Sequence, residues 1–150
     1  MGSLSQLMSQ FSAASARRGE QFEYVCSWFL KHEPSYAMRF KNVWLWKDWP
    51  GKWGRDAGID MVAEDTDGKL WAIQAKAYDS AYAITRRDID AFLAESNRPT
   101  FSSRLFIAST NLVSATAKNT LDAQDKPVTM LLLCDLEAAE VDWPDSPAQL

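Results

Sequence analysis

Ile59-Asp60-Met61-Val62-Ala63-Glu64-Asp65-Thr66-Asp67-Gly68-Lys69-Leu70-Trp71-Ala72-Ile73-Gln74-Ala75-Lys76-Ala77 is the stretch on which the fold turns. Two apolar, strand-forming runs, Ile59 to Glu64 and Leu70 to Ala77, flank Asp65-Thr66-Asp67-Gly68, where Gly68 can take a left-handed backbone. The pattern predicts a β-hairpin. Side chains alternate along a strand, so Gln74 and Lys76 share one face while Ile73, Ala75 and Ala77 share the other. The face that Asp60 joins depends on the turn. A three-residue loop, Thr66-Asp67-Gly68, sets Asp65 opposite Lys69 and, counting back, Asp60 opposite Gln74. A two-residue Asp67-Gly68 turn sets Asp60 opposite Ala75 and sends it to the other face. The residues alone leave both registers open.

Upstream, from Arg17 to His32, Phe22, Val25, Cys26, Phe29 and Leu30 form the stripe of an amphipathic helix, which Pro34 ends. Arg39 to Trp46 reads as a strand, and Trp49 to Gly58 as a loop. Downstream, Thr85 and Asp88 form a capping-box pair with Ile84 and Ile89 at the staple positions, so a helix is expected from about Arg86 to Ser96. Arg104 to Ser109 and Val128 to Cys134 suit buried strands, with a helix from about Val113 to Ala123 between them. Strands joined through helices imply parallel neighbours, whereas the first three strands can form an antiparallel meander. The expected architecture is α/β, a mixed central sheet flanked by helices. Residues 1–15 read as a polar N-terminal segment, 16–135 as the domain, and 136–150 as a linker.

A chain of 150 residues, 47% hydrophobic, suffices for one ordinary core. No apolar run approaches the length that would cross a bilayer, and no secretory signal opens the chain. Cys26 and Cys134 are read as buried packing residues in a reducing, cytoplasmic setting. A net charge of -4 argues against tight unaided binding of nucleic acid, whose non-specific affinity comes from phosphate neutralisation.

A carboxylate, an amide oxygen and a lysine at the spacing of Asp60, Gln74 and Lys76 suit phosphodiester hydrolysis. Hard oxygen ligands hold Mg2+, which stabilises developing charge and activates water. Asp60, Gln74 and the carbonyl of Ala75 are the candidate ligands, and Lys76 is the group that positions the water and neutralises the reacting phosphate. On the helical wheel Glu23 lies beside the Phe22, Cys26 and Leu30 stripe, while Glu20 lies further toward solvent. Glu23 is therefore the additional acidic candidate, catalytic or metal-binding; the plain alternative is a helix-edge glutamate paired with Arg17 or Arg18.

Gly19-Glu20-Gln21-Phe22-Glu23, Asp56-Ala57-Gly58-Ile59-Asp60 and Ala72-Ile73-Gln74-Ala75-Lys76 together resemble the pattern of Mrr-like nucleases in the PD-(D/E)xK superfamily. The resemblance implies a restriction-endonuclease-like αβββαβ core and cleavage of double-stranded DNA. The runs Trp53 to Ser96 and Leu136 to Pro147 are similar to the amino-terminal nuclease domain of single-chain, helicase-driven (Type ISP-like) restriction-modification enzymes. That similarity implies a parent chain with helicase/translocase, methyltransferase and target-recognition modules, in which ATP serves the motor and not this domain. Gln74 departs from the carboxylate usual in the superfamily but agrees with the Mrr-like branch; one ligand is then neutral.

Plainer readings stand beside these. Asp, Gln and Lys are ordinary residues on the polar face of a hairpin, so the alternative function is a nuclease-fold DNA-binding or protein-interaction module without turnover. Asp56 either assists the site or fixes its loop. Trp44, Trp46, Trp49, Trp53 and Trp71 either stack on bases or pack. Lys47, Lys52, Arg55, Arg86 and Arg87 are candidates for DNA contact or ordinary solvated charges. His32 is expected to complement the carbonyl end of its helix.

Overall fold

In a computed structural model, which describes residues 2–54 and 58–150, the elements follow in order: α1 (Leu4–Met8), α2 (Ser15–His32), α3 (Pro34–Arg39), β1 (Phe40–Leu45), β2 (Met61–Asp65), β3 (Leu70–Lys76), β4 (Ala83–Ile84), α4 (Arg86–Ser96), β5 (Ser103–Ala108), β6 (Leu112–Val113), α5 (Ala115–Asp122), β7 (Val128–Leu131) and α6 (Leu133–Ala138). Five strands form one sheet in the order β1-β2-β3-β5-β7, and β4 pairs with β6 beside it. The first three strands run antiparallel, while β3, β5 and β7 run parallel through α4 and α5. The mixed sheet flanked by helices is the architecture the patterning predicts.

Alternation along the strands builds two cores. Met61, Ala63, Trp71, Ile73, Ala75, Leu105 and Ile107 meet the Phe22, Val25, Cys26, Phe29 and Leu30 stripe of α2. Val62, Ala72, Phe106 and Ala108 meet Ile89, Phe92 and Leu93 of α4 and Ala117 of α5. The α4 boundaries are those expected, and the capping box forms: Asp88 N–H donates to Thr85 Oγ1 and Thr85 N–H to the Asp88 carboxylate. Ile84 and Ile89, the staple positions, are fully buried.

Several short elements escape sequence reading because packing, not periodicity, makes them. Pro34 ends α2 but also opens α3, where a proline at the first helical position loses no hydrogen bond. The stretch Val128 to Cys134 is not one buried strand: β7 stops at Leu131 as a half-buried edge, and the Asp135 carboxylate accepts from Leu132 N–H to start α6. Cys134 is consequently exposed in the first turn of α6, unlike buried Cys26. The polar N-terminal segment contains α1, which buries Leu4 and Leu7. Residues 136–150 also carry packing groups, with Leu136 buried and Trp143 stacked on Phe29.

The tryptophans pack. Trp46, Trp49 and Trp53 form a cluster with Phe101, and Arg98 lies 3.9 Å over the Trp53 ring. Trp44 is half-buried against the same core. Trp71 packs edge-on against Phe40 and donates to Asp65. His32 bonds the Trp28 carbonyl at 2.7 Å, as its position at the helix end suggested.

Candidate active site

The hairpin takes the three-residue register. Met61 pairs with Ile73 and Ala63 with Trp71, Asp65 N–H donates to Lys69 O, and Gly68 has φ +78 in a loop of Thr66, Asp67 and Gly68. The Asp65 carboxylate accepts from Asp67 N–H, Lys69 N–H and the Trp71 indole, which holds the turn in this form. One detail differs from simple counting. Asp60 lies beyond the last paired residues of β2, and its N–H addresses the carbonyl of Ile73, the residue paired with Met61. Two residues thus address one, as in a bulge, which re-aims the first side chain. The Asp60 carboxylate turns along β3, and its Oδ2 accepts from Ala75 N–H at 2.8 Å. Its own carbonyl accepts from Trp46 N–H, fixing the segment from both sides.

Asp60, Gln74 and Lys76 line a single groove between the sheet end and α4, with Gly58, Arg87, Asp88, Ala91, Ala94 and Glu95 as the other wall. Small Ala91 and Ala94 keep that wall low. Gly58 permits the approach: its φ is +71, and a Cβ there would stand 3.3 Å from the Ala91 carbonyl carbon. Asp88 and Glu95 are wall residues that sequence reading missed. Asp88 was legible only as a cap, although 87, 88, 91, 94 and 95 make one helical stripe. Burial works against ionisation of Asp88, but Thr85 N–H, the Tyr82 and Thr85 hydroxyls and nearby Lys76 outweigh it and hold the carboxyl below the usual range.

Across the sheet end, Asp60 also lines a second cleft with Glu20, Glu23, Tyr24, Leu45, Trp46, Lys47 and Ile59. Glu23 therefore reaches Asp60 from the α2 side rather than joining Gln74 and Lys76 in their groove. Burial, then the charges of Asp60 and Glu20, push the Glu23 carboxyl up to about 7 against the pull of Lys76 and Lys47. Glu20 lines the cleft too, but it is exposed and bonded to Arg17 at 2.7 Å, so the wheel separates the two glutamates correctly.

The basic candidates divide. Arg87 lines the groove, Arg86 is exposed and pairs with Asp90 on the same helix, and Lys52 is exposed. Lys47 joins the Glu23 cleft. Arg55 and Asp56 lie outside the described residues.

Among the described residues, no three His, Cys, Asp or Glu side chains cluster closely enough to hold a metal ion by themselves. The donor set is mixed: the Asp60 carboxylate, the Gln74 amide and the Ala75 backbone, with Glu23 adjacent. Gln74 is buried, and its Oε1 has no hydrogen-bond partner among the described residues. An unpaired buried carbonyl oxygen costs about 1–3 kcal/mol and is the kind of oxygen a hard cation takes, so these residues fit a divalent ion.

A family model described as restriction endonuclease matches residues 31–149, a span holding the hairpin, the groove and every strand of the sheet. The chain belongs to this restriction-endonuclease family. The fold of this family member is also that of solved relatives. It is 29% identical to an ATP-dependent Type ISP restriction-modification enzyme, LlaBIII, solved bound to DNA, with a TM-score of 0.80. The match covers 95% of this chain but 9% of that one, so the chain spans a small part of that enzyme's length. The MspJI restriction endonuclease, in complex with an oligonucleotide, and the modification-dependent restriction endonuclease AspBHI share the fold at 16% and 15% identity. Each has a TM-score of 0.54; the matches cover 92% and 99% of this chain, and 33% and 40% of theirs. No curated protein matches the sequence. Among the described residues no helix is long and apolar enough to cross a membrane.

Proposed function

We propose that this restriction-endonuclease domain is a Mg2+-dependent DNA endonuclease that hydrolyses phosphodiester bonds in double-stranded DNA, with its site at Asp60, Gln74 and Lys76 and with Glu23 as an accessory acid. The observation that carries the reading is the hairpin end, where the Asp60 carboxylate is pinned to Ala75 N–H and lines one groove with Gln74 and Lys76. Asp60, Gln74 and the Ala75 carbonyl would hold the cation, with Glu23 beside them. When bound, Mg2+ supplies charge stabilisation at the phosphate and lowers the pKa of a water.

The chain's own groups do the rest. The bond from Ala75 N–H fixes the Asp60 carboxylate, so it need not reorganise as the phosphate arrives. Half-buried Lys76 makes no ion pair with a described residue and has its ammonium available to the phosphate oxygens and the attacking water. Arg87, on the opposite wall, holds the strand by a flanking phosphate. Glu23 carries a proton part of the time near neutrality.

The wider assignment rests on the Type ISP similarity: the cleavage module of an ATP-dependent restriction-modification enzyme in the cytoplasm. Residues 136–150 would lead toward the helicase, and methyltransferase and target-recognition modules would deliver the DNA. The net charge of -4 agrees with such delivery. The second reading, a nuclease fold that binds without turnover, is favoured by neutral Gln74 and the absence of a three-carboxylate cluster among the described residues.

Supercoiled plasmid with Mg2+ tests the proposal. Asp60→Ala and Lys76→Ala should each lower the cleavage rate at least about a thousandfold while the circular dichroism spectrum stays unchanged, as removal of charge stabilisation at a hydrolytic centre does. Cleavage by either variant at the wild-type rate would remove the catalytic assignment. A wild type that binds Mg2+ without cutting would favour the second reading.

A further inference from the structure

The chain just past Lys76 is held by an unusual pair of buried hydroxyls. Ser109 and Thr110 follow β5 and are 2% and 0% exposed. Ser109 Oγ accepts from Tyr78 N–H at 2.6 Å and donates to Tyr78 O at 2.7 Å. Ser109 N–H also donates to Lys76 O at 3.2 Å. Thr110 Oγ1 donates toward Tyr82 O at 2.7 Å and Ser80 O at 3.2 Å, and accepts from Leu112 N–H. The parallel ladder between β3 and β5 ends at Lys76 and Ala108. Beyond it, two side chains supply the rungs that backbone pairing no longer provides, across the segment that leads from Lys76 to Asp88 on the opposite wall of the groove.

We infer that Ser109 is a positioning residue for Lys76, with Thr110 extending the same staple toward the α4 wall; the inference rests on the assignment of Lys76 to the cleavage centre. Lys76 is the last residue of β3, and a strand end without further pairing frays. The Ser109 main chain holds the Lys76 carbonyl and its hydroxyl holds both backbone groups of Tyr78 two residues later, so the ammonium is presented from a backbone anchored on its C-terminal side, and it is the hold on Tyr78 that alanine loses. Displacement of a reacting group by about 1 Å can cost up to about a hundredfold in rate, so loss of this anchor is felt in catalysis more than in binding. The hydroxyl is needed for geometry, because one oxygen must both donate to and accept from the same residue; alanine does neither.

The test compares Ser109→Ala with Ser96→Ala in this chain. Ser96 is also a fully buried serine, but it ends α4 and its hydroxyl accepts from Arg104, which pairs with Ala72 at the other end of the β3–β5 ladder from Lys76. The first readout is the Lys76 side-chain resonance in isotopically labelled protein, with and without Mg2+. Ser109→Ala should shift and broaden it, Ser109→Thr should restore it, and Ser96→Ala should leave it in place at a comparable loss of Tm. The second readout is single-turnover cleavage of a duplex oligonucleotide, where Ser109→Ala should lower the maximal rate about ten- to a hundredfold with little change in the duplex concentration at half saturation. Should Ser109→Ala fail to fold, Ser109→Cys, of similar size and a weaker donor, serves in the same comparison. A Lys76 resonance that responds no more to Ser109 than to Ser96 overturns the inference. If the resonance moves as expected but Lys76→Ala cleaves like the wild type, the anchor stands and the catalytic assignment falls instead.

Discussion

The two clefts that meet at Asp60 are built from different chemistry. On the α4 side, Lys76 and Arg87 face a groove whose sheet-side donors include a neutral amide, and Asp88 is held ionised by hydrogen bonds. On the α2 side, Glu23 and Glu20 crowd the same aspartate, and burial pushes Glu23 up to about 7. One carboxylate thus stands between a groove that holds Gln74 with Lys76 and Arg87 and a cleft in which a half-buried glutamate crowds it. The difference arises because Gln74 and Lys76 leave one face of β3 while α2 packs on the other, and the irregularity at Asp60 leaves its side chain at the sheet end, within reach of both.

The comparison breaks most readily at Glu23. Because its pKa is raised in the folded protein, its contribution to stability is present in full below the unfolded value of about 4.5 and is lost as pH rises through about 7. Glu23→Gln should therefore raise the stability of the metal-free protein at pH 8 by about 1 kcal/mol, a figure discounted for partial exposure, and have little effect at pH 4.5. At the proposed site Mg2+ would meet the ionised form, so wild-type Mg2+ affinity should climb between pH 6 and 8, and the climb should flatten in Glu23→Gln with cleavage about tenfold slower at pH 8. Calorimetric titration at three pH values and urea melts check both parts. An unchanged pH dependence would leave Glu23 as an ordinary helix-edge residue.

On the opposite wall, Arg87→Ala should weaken duplex binding several-fold and reduce the slope of log affinity against log salt by about 1, the signature of one lost phosphate contact. Arg86→Ala, paired outward with Asp90, should change neither. Equal effects from the two would mean that the helix as a whole, not the groove wall, meets DNA. Anisotropy titrations at several salt concentrations suffice.

A smaller effect separates the two glycines at the ends of β2. Both have positive φ, but a Cβ at Gly68 meets open space while one at Gly58 meets Ala91. Gly68→Ala should cost about 1 kcal/mol for the left-handed backbone alone, and Gly58→Ala about 1 kcal/mol more as α4 is displaced. Urea melts give the costs, and only Gly58→Ala should also slow cleavage.

The hairpin, its Asp-Gly turn, α4 with its capping box, and the stripe of α2 were legible because each is written in local periodicity or in a specific turn chemistry. The tryptophans could not be assigned from sequence, since an indole that packs and one that stacks on a base look alike until Phe101 and Arg98 are seen beside them. Cys134 was misread because an apolar run of four to seven residues does not say where a strand ends and a helix begins. The Ser109-Thr110 staple was invisible for a related reason: two small polar residues after a strand read as a turn, and their partners lie 28 to 31 residues away.

By itself the sequence determined the polar face of β3, because strand alternation places Gln74 and Lys76 together whatever else the chain does. It also determined the left-handed turn, since few residues but glycine accept φ near +78. Only the tertiary structure decided that Asp60 departs from the ladder and turns its carboxylate to Ala75 N–H, and that α2 brings Glu20 and Glu23 to one side of it while α4 brings Arg87, Asp88 and Glu95 to the other. Those are outcomes of packing between elements distant in sequence, where a shift of one residue in register or one turn of helix would exchange the faces, and no local pattern records which exchange the cores permit.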